Sequence, residues 1–512
     1  MRCRAWLGMH FVYGWIPGKA GVVPMSALCR VCRLSSRSEL WQMRVRSIAL
    51  VMVGRRKRNY DANHFEGTGM MRRCFYLFIL IAIYGVCSLA RYGSVCAGEP
   101  ADAASAVGST AVTGTPLERW DMERLVVPPD FRWLDSESAV RSLLYQGEEY
   151  QGHPTEVFAY YATPATLAGK QHSGDSYPGI VLLHGGGGTA FSEWVEKWAR
   201  RGYAAIAMDL GGKQPASPKF DDVTGQVVQR FDNVSGKRKR LAKAGPLDDH
   251  QAKFQNVNDD PTDDWQFHAV SAAVRAHSLL RSFPEVDAER TAVTGISWGG
   301  YLTCLTASVD SRFKAAVPVY GCGFLYDGES VQRPMIDRLE PRQRTEWIRL
   351  HDPSRFLKQC RVPIFFVNGT NDRHYPLKSY ARSYSLVQGA VTLRIEAGMR
   401  HSHGHGWAPL EIGRFVDHHL LNKHAMVALS EPELHGDIVS SRFPVEQKPS
   451  HAVLQYTSDH GPLVDRKWKS IDAMLAKGLV SAKLPDDATI WCLAVTEKDG
   501  AMVTTEVMFR QP

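Results

Sequence analysis

The sequence predicts an α/β fold, a doubly wound and mostly parallel sheet, followed by a small all-β, sandwich-like domain. Short apolar runs of strand length alternate with helical stretches between about residues 157 and 422, which is the order that builds a parallel sheet. Several of these runs end in loops rich in glycine or polar residues. From about residue 430 onward, short alternating runs separated by Gly, Pro and Asp replace this pattern.

The strands expected in the first region are mostly continuous apolar runs, as in sheets that are covered on both faces. They are expected near 157–161 and then, in parallel, at 180–183, 204–208, 292–294, 315–319, 364–367 and 393–395. Apolar residues at helical spacing predict an amphipathic helix over 264–280 that packs on the sheet. The polar, charged residues 211–264 are predicted to be an insertion, either a lid or substrate-contacting loop or a solvated excursion.

The last region, residues 430–512, has the pattern of a small β-sandwich. Strands are expected at 452–457, 479–483, 489–495 and 502–508, with one helix over 469–475. Trp468 and Trp491 admit two interpretations, glycan binding or burial where this domain packs on the first one. The larger region, residues 117–425, is predicted to be a single α/β domain that contains the insertion 211–264.

The basic character of the chain is concentrated at its N-terminus. The formal net charge is +8, but residues 1–97 contain 15 Lys and Arg against 3 Asp and Glu, which leaves 46 against 50 for the remaining residues. Those remaining residues are weakly acidic. The charge therefore gives no reason to expect a nucleic-acid partner.

Residues 71–97 are predicted to be a secretory signal peptide, because two arginines precede a short apolar run and small residues end the segment at Ala97. The apolar run is near the lower length limit for spanning a membrane, so an uncleaved anchor is the alternative. Residues 1–70 are expected to be a non-native extension from an upstream start codon, and residues 98–116 a flexible lead-in. The protein is therefore expected to be exported to the periplasm, cell surface or medium, without membrane contact beyond this signal.

Residues 295–300, Gly-Ile-Ser-Trp-Gly-Gly, are the most informative motif. They follow an apolar strand and begin a helix-like run, which is the order of a nucleophile elbow. The sharp turn of such an elbow exposes the serine hydroxyl, here that of Ser297, and the flanking glycines avoid collision with neighbouring backbone. The start of the helix also directs amide N–H groups at developing negative charge. A plain glycine-rich turn between strand and helix is the alternative.

A second glycine-rich motif, residues 184–188, follows the strand expected at 180–183. Bare backbone in such a loop lets N–H groups approach an oxyanion. A dinucleotide-binding loop is excluded, because the spacing does not give G-x-G-x-x-G and only Asp209 is available as a ribose-binding acid.

Two further loops supply an acid and a base. Asp372 follows an apolar strand, so its carboxylate would lie at the carboxyl edge of the sheet, where it can accept a hydrogen bond from a histidine ring. The same position also fits an aspartate with an ordinary role in a turn.

His401 is the first histidine after the last expected parallel strand and is the expected base, with His403 as runner-up. The alternation of His401, His403 and His405 also fits a metal site, but no nearby Cys or carboxylate completes a ligand set, so neither metal nor cofactor is expected.

With these motifs the chain resembles α/β-hydrolases of the prolyl oligopeptidase, dienelactone hydrolase and acetyl xylan esterase grouping. The resemblance covers roughly residues 140–422 and depends on the combination of 182–188, 295–302 and 368–376. It implies an α/β-hydrolase fold. The site residues that it implies are Ser297 as nucleophile, Asp372 as acid, His401 as base, and the backbone N–H groups of Trp298 and of Gly186 or Gly187 as oxyanion donors.

The function that the resemblance implies is that of an exported serine hydrolase, a carboxylesterase or deacetylase that cleaves small acyl or carbohydrate-borne esters through an acyl-enzyme. Between the end of the predicted signal at Ala97 and the strand at 180–183, the chain is too short for the β-propeller of an oligopeptidase, which needs at least four blades of about 40 residues. Two alternatives remain: a peptidase of the prolyl oligopeptidase type without a propeller, and an inactive hydrolase fold that binds glycans. The expected partner is a small-molecule or carbohydrate ester. The sequence does not indicate the oligomeric state.

Four cysteines follow the predicted signal peptide: Cys304, Cys322, Cys360 and Cys492. Three lie in or beside apolar runs, as small buried side chains do. Export would permit a disulfide, for which Cys322 with Cys360 is a candidate pair.

Overall fold

A computed structural model describes residues 117–510 except 171–173, 175, 222, 226, 256 and 258–259. The predicted extension, signal peptide and lead-in, residues 1–116, lie outside the described residues. The strands up to residue 396 are, in chain order, β1 (Phe131–Asp135), β2 (Arg141–Gln146), β3 (Glu156–Ala162), β4 (Tyr177–Leu183), β5 (Ala204–Met208), β6 (Lys213–Gln214), β7 (Lys219–Phe220), β8 (Val227–Gln229), β9 (Lys239–Arg240), β10 (Val286–Ile296), β11 (Ala315–Val319), β12 (Ile364–Gly369) and β13 (Val391–Glu396).

A large central sheet contains nine of these described strands, in the order β1-β2-β3-β5-β4-β10-β11-β12-β13. The six strands from β5 through β13 in that order pair in parallel, and β1, β2 and β3 extend the sheet antiparallel at one side. The predicted doubly wound, mostly parallel sheet is thus confirmed. Strands such as β5 and β12 are buried along their whole length, which explains their continuous apolar sequence. The sequence did not predict β1 and β2.

The α-helices of the described residues are α1 (Met122–Leu125), α2 (Pro164–Leu167), α3 (Ser192–Arg200), α4 (Trp265–Ser282), α5 (Trp298–Val309), α6 (Arg333–Asp337), α7 (Pro341–His351), α8 (Leu377–Tyr384), α9 (His403–Gly406) and α10 (Leu410–Leu421). Short 3₁₀ turns occur at Ser235–Lys237, Pro261–Asp263, Pro353–Arg355, Leu357–Gln359 and Leu463–Asp465, and one π turn at Gln251–Gln255. Within the part of the chain described, no helix combines the length and hydrophobicity needed to cross a membrane.

Helix α4 differs from the amphipathic helix predicted for this segment. It is buried on nearly every side rather than along one face. Residues before β1 cover its outer surface, where Trp120 donates its indole N–H to Phe267 O and the Ser278 hydroxyl donates to Leu125 O. Since a helix between two layers needs no polar face, sequence periodicity underestimates its burial.

The C-terminal strands are β14 (Glu433–His435), β15 (Ile438–Arg442), β16 (His451–Thr457), β17 (Lys469–Asp472), β18 (Met474–Ala476), β19 (Leu479–Lys483), β20 (Ile490–Thr496), β21 (Met502–Thr504) and β22 (Met508–Phe509). They form one sheet in the order β14-β15-β19-β18 and a second in the order β17-β16-β20-β21, with β22 beside β20. We call these strands and their loops the C-terminal module. The all-β structure predicted for this region is confirmed. The predicted boundaries of the first domain (117–425), of its insertion (211–264) and of the C-terminal domain (430–512) remain predictions.

The helix predicted over 469–475 is wrong, because β17 and β18 occupy this segment. Ile471 pairs with Leu454 of β16, so cross-strand hydrogen bonds override the helical preference of the local sequence. Of the two tryptophans considered for glycan binding, Trp491 is buried and Trp468 is half-buried against the core. The burial interpretation therefore fits both side chains.

All four described cysteines are free and buried, so the candidate pairing of Cys322 with Cys360 is wrong. Three of the thiols lie near backbone oxygens: Cys322 Sγ is 3.2 Å from Gly323 O, Cys360 Sγ 3.7 Å from Val362 O and Cys304 Sγ 3.8 Å from Gly321 O. Burial raises the pKa of the Cys360 thiol to about 11. These cysteines behave as small apolar core residues.

Candidate active site

Ser297 lies in the tight turn between β10 and α5. Its backbone has φ 60° and ψ −116°, which is strained for a residue other than glycine. The turn is held by the Ser297 N–H, which donates to Val319 O of β11 at 2.9 Å. A Cβ on Gly299 would lie 1.9 Å from Leu183 O, so only glycine lets α5 start this close to β4. The turn therefore has the geometry expected of a nucleophile elbow.

Ser297, His401 and Asp372 form one hydrogen-bonded chain. His401 Nε2 lies 2.9 Å from Ser297 Oγ, and His401 Nδ1 lies 2.6 Å from Asp372 Oδ2. A carboxylate only accepts hydrogen bonds, so Nδ1 carries the proton and Nε2 is free to accept one from the serine hydroxyl. The other Asp372 oxygen accepts the N–H groups of His374 and Tyr375 at 2.8 and 2.9 Å. The carboxylate is therefore fixed on both sides.

The imidazole of His401 is held between aromatic rings that the sequence did not identify as site residues. Tyr320 stacks on it with ring centroids 4.3 Å apart, and its hydroxyl donates to Arg400 O at 2.6 Å. His374 lies on another side, with centroids 4.6 Å apart. Burial and the neighbouring His401 lower the pKa of His374, so its ring stays neutral beside the base. Tyr320 directly follows β11, and His374 lies in the loop after β12, two residues beyond Asp372. These positions at the carboxyl ends of strands were the available signal.

Residues 184–188 form a turn against Ser297. The Gly188 N–H donates to Gly185 O at 2.9 Å, and Gly187 has φ +71°, as the third position of a type II turn requires. A Cβ on Gly185 would lie 3.1 Å from Ser297 Cβ, and one on Gly186 would lie 2.6 Å from Trp298 Cδ1. Bare backbone thus packs against both residues of the elbow.

The predicted oxyanion donors lie at this junction. Among the hydrogen bonds of the described residues, none uses the N–H of Gly186, Gly187 or Trp298. By contrast, Gly185 and Gly188 have their N–H groups bonded within the protein. The arrangement therefore leaves the three predicted N–H donors available to a ligand atom beside Ser297.

His403, the runner-up base, contacts the glycine turn instead of Ser297. Its Nε2 accepts the Gly185 N–H at 2.9 Å, so this nitrogen is unprotonated. Burial, with the nearby His184, His401 and Arg238, lowers the pKa of His403 to about 4. Of these two histidines, only His401 contacts Ser297.

The three alternating histidines do not converge on one point. His405 Nδ1 lies 2.8 Å from Ser402 Oγ, while His401 and His403 face Ser297 and Gly185. Among the described residues, no group of three or more His, Cys, Asp or Glu side chains is arranged to hold a metal ion.

The predicted insertion contacts the glycine turn. Arg238 Nη1 donates to Gly187 O and to Gly188 O, each at 2.7 Å. Part of residues 211–264 thus packs against the glycine turn, and a role of this insertion as a lid or substrate-contacting loop stays a prediction. The insertion has no helical or strand periodicity, so this contact could not be predicted from the sequence.

The C-terminal module reaches the loop that carries Asp372. Asn371 Nδ2 donates to the backbone oxygens of Leu463, Val464 and Arg466 at 3.3, 3.2 and 2.8 Å. Glu329 accepts the Leu463 N–H at 2.8 Å and so holds the same module loop. The module is therefore adjacent to the site. The sequence did not predict this contact, because the module lies far from Asp372 along the chain.

Comparison with known proteins gives one family and a set of relatives. Residues 163–404 match the model of the dienelactone hydrolase family. The acetyl esterase Axe7A of Xylanibacter ruminicola is 25% identical over 226 residues, which are 42% of this chain and 46% of that protein. The chain thus spans a little under half the length of this curated relative.

Solved structures give more distant similarities. The acetyl xylan esterase from Paenibacillus sp. R4 is 20% identical with a TM-score of 0.44, over 61% of this chain and 97% of that one. An acylaminoacyl peptidase of Pyrococcus horikoshii is 17% identical with a TM-score of 0.39, over 56% and 43%.

Proposed function

This chain belongs to the α/β-hydrolase superfamily and carries a dienelactone hydrolase family domain, and we propose that it is a serine-dependent carboxylic ester hydrolase. The hydrogen-bonded chain from Ser297 through His401 to Asp372, with distances of 2.9 and 2.6 Å, carries this proposal. A serine activated by a histidine that a carboxylate orients is the arrangement used for acyl transfer.

In the first step, Ser297 Oγ attacks the ester carbonyl carbon while His401 Nε2 takes the hydroxyl proton. The imidazolium is stabilised by the Asp372 carboxylate at Nδ1. The carbonyl oxygen becomes negative and accepts hydrogen bonds from the N–H of Trp298 and of Gly186 or Gly187. The tetrahedral intermediate then expels the alkoxide, His401 protonates it, and the acyl group remains on Ser297.

In the second step, water replaces the alcohol. His401, neutral again, takes a proton from water as its oxygen attacks the acyl carbon, and the same N–H groups hold the negative oxygen. Collapse of this intermediate returns the proton to Ser297 and releases the carboxylic acid. In both steps the transferred proton passes through His401 Nε2, and water supplies the oxygen that the carboxylic acid gains.

We propose small acyl groups, foremost acetyl, on a small-molecule or carbohydrate alcohol as substrate. The name of the 25%-identical relative, an acetyl esterase, supports the acetyl preference. The proposed location, periplasm, cell surface or medium, depends on the predicted signal at 71–97, outside the described residues.

A propeller-gated peptidase fits the described residues less well than an esterase. The segment before β4 pairs into the central sheet through β1, β2 and β3, and the described residues between 117 and 176 form no separate blade. A glycan-binding protein without activity would have no need of the Ser297–His401 contact.

The test measures hydrolysis of p-nitrophenyl acetate, butyrate and octanoate, together with an aminoacyl p-nitroanilide, by the full chain. Ser297→Ala is expected to abolish turnover and labelling by a fluorophosphonate probe. Ser308→Ala, at the opposite end of α5, is the matched control and is expected to behave as wild type. If no ester is cleaved and Ser297 is not labelled, the proposal fails. Cleavage of the anilide but not of the esters would favour the peptidase.

A further inference from the structure

The glycine turn beside Ser297 is held by side chains from two distant parts of the chain. On one side, His403 Nε2 accepts the Gly185 N–H at 2.9 Å. On the other side, the guanidinium of Arg238 donates to Gly187 O and Gly188 O. A four-glycine loop without such contacts would have many accessible conformations, because glycine restricts its backbone least.

We propose, resting on the function proposed above, that His403 and Arg238 are positioning residues that hold the turn 185–188 and so set the direction of the oxyanion-binding N–H groups of Gly186 and Gly187. Neither touches the substrate in this proposal. Each acts through the backbone of the turn.

Peptide planarity transmits the effect of these contacts. In a trans peptide the C=O of one residue and the N–H of the next point in opposite directions, so a partner on the oxygen fixes the direction of that N–H. Arg238 holds Gly187 O, so it fixes the direction of the Gly188 N–H in the same peptide. That N–H donates to Gly185 O, which His184 Nδ1 also contacts at 2.7 Å. The Gly186 N–H must then point away from both partners.

Arg238 is itself rigidly mounted, as a positioning residue requires. Its Nη2 and Nε donate to Asp232 O at 2.7 and 3.3 Å. The Asp232 carboxylate, almost fully buried, accepts the N–H and hydroxyl of Ser192 at 2.8 and 2.5 Å. Ser192 begins the helix that follows the glycine turn, so the insertion is tied both to the turn and to the start of that helix. The fork of an arginine suits two neighbouring carbonyls better than a lysine would.

His403 has the protonation state that the contact needs. Its Nε2 faces an N–H donor, so the ring must be neutral with the proton on Nδ1. Phe191 packs against the ring with centroids 4.8 Å apart and fixes its plane. Two nearby residues serve for comparison because they do not contact the glycine turn. The histidine His405 bonds Ser402, and the basic residue Lys239 is exposed on β9.

The experiment compares His403→Leu, His403→Gln, Arg238→Ala and Arg238→Lys with the controls His405→Leu and Lys239→Ala in the full chain. Turnover is expressed per serine that a fluorophosphonate labels, so misfolded protein is not counted. His403→Leu and Arg238→Ala are expected to lower kcat by roughly 10-fold to 100-fold with little change in KM, since loss of a whole oxyanion donor costs about 100-fold to 1000-fold. They are also expected to weaken binding of phenylboronic acid, a tetrahedral mimic.

Partial recovery is expected in His403→Gln, whose amide oxygen can accept the Gly185 N–H. Added guanidinium is expected to raise the kcat of Arg238→Ala and not that of Lys239→Ala. Values of kcat per labelled serine equal to those of the controls would overturn the role of these residues while leaving the proposed function intact. A wild-type chain that neither hydrolyses esters nor is labelled would overturn both.

Discussion

The side-chain amide of Asn371 lies 2.8 Å from the backbone oxygen of Arg466, which joins the loop of Asp372 directly to the C-terminal module. The neighbouring Thr370 continues the connection, because its hydroxyl donates to Asn371 Oδ1 at 2.7 Å and accepts the Gly398 N–H at 3.2 Å. Gly398 belongs to the loop that leads to His401. Two neighbouring side chains, Asn371 and Thr370, thus link the module to the loops of both the proposed acid and the proposed base.

Asn371→Asp is expected to destabilise the protein more than Asn371→Ala. Alanine leaves three backbone oxygens without their donor, at a cost of about 1–3 kcal/mol in the free energy of unfolding, and aspartate adds a negative charge beside them. Chemical unfolding and kcat are measured for both variants. Asn233→Asp, at an exposed position of the insertion, is the control for the added charge. Equal stability of Asn371→Asp and wild type would contradict the linkage.

Asp372→Asn is expected to lower kcat by about 1000-fold to 10,000-fold with a small change in KM. The amide N–H₂ facing His401 Nδ1 would reverse the tautomer, so that Nε2 could no longer accept the proton of Ser297. Steady-state kinetics on p-nitrophenyl acetate measure the effect. Asp327→Asn, which alters an exposed pair with Arg382, serves as control. A loss below about 10-fold would mean that Asp372 does not orient the base.

Gly299→Ala is expected to cost about 3 kcal/mol or more in the free energy of unfolding, or to prevent folding. The new Cβ would lie 1.9 Å from Leu183 O, and backbone on both sides cannot yield as a flexible side chain does. Soluble yield and thermal unfolding are measured beside Gly236→Ala, where a Cβ meets no atom within 4 Å. Similar stability of the two variants would contradict the close approach of α5 to β4.

The free energy of unfolding is expected to fall as pH decreases from about 6.5 to about 4. His277 is fully buried, with Nδ1 2.8 Å from Asp310 Oδ2 and Nε2 2.8 Å from Thr291 Oγ1. Burial lowers its pKa to about 4, so in this pH window the unfolded chain binds a proton that the folded chain excludes. The contribution of neutral His277 to the free energy of unfolding is complete above the unfolded pKa of about 6.5. It decreases by about 3 kcal/mol toward pH 4.

Chemical unfolding at pH 7, 6, 5 and 4.5 measures this dependence. His277→Gln removes the titrating group, so the difference in stability between wild type and variant is expected to shrink as the pH falls. His419→Gln is a comparison at a half-buried histidine on α10, where solvent reduces the effect. A difference for His277→Gln that is constant over this range would show that the ring is not excluded from protonation.

The sequence predicted the six parallel strands and the four loops of the site because each depends on a short local pattern. Continuous apolar runs identify strands such as β12, and chain order then assigns a loop to each of Ser297, Asp372 and His401. The dienelactone hydrolase match confirms the family resemblance drawn from those loops. Their catalytic roles stay predictions until activity is measured.

Features that depend on contacts between distant segments could not be predicted. Alternating histidines do not reveal which ring faces Gly185, and a run of four basic residues does not reveal that only Arg238 contacts the glycine turn. The predicted helix over 469–475 failed for the same reason, because the partner strand β16 decides that segment. Local preference is a weak guide wherever a neighbouring strand supplies the hydrogen bonds.

The position of the C-terminal module has a consequence for solubility that is independent of chemistry. Strand β13 is an outer strand of the central sheet, and its Ile395 N–H, directed away from β12, is met by Thr504 Oγ1 of β21 at 3.3 Å. An uncovered strand at this place would offer its backbone to a strand of another molecule, which is how sheets aggregate edge to edge. The module shields that border, so a chain shortened before β14 would tend to self-associate even with every residue around Ser297 retained.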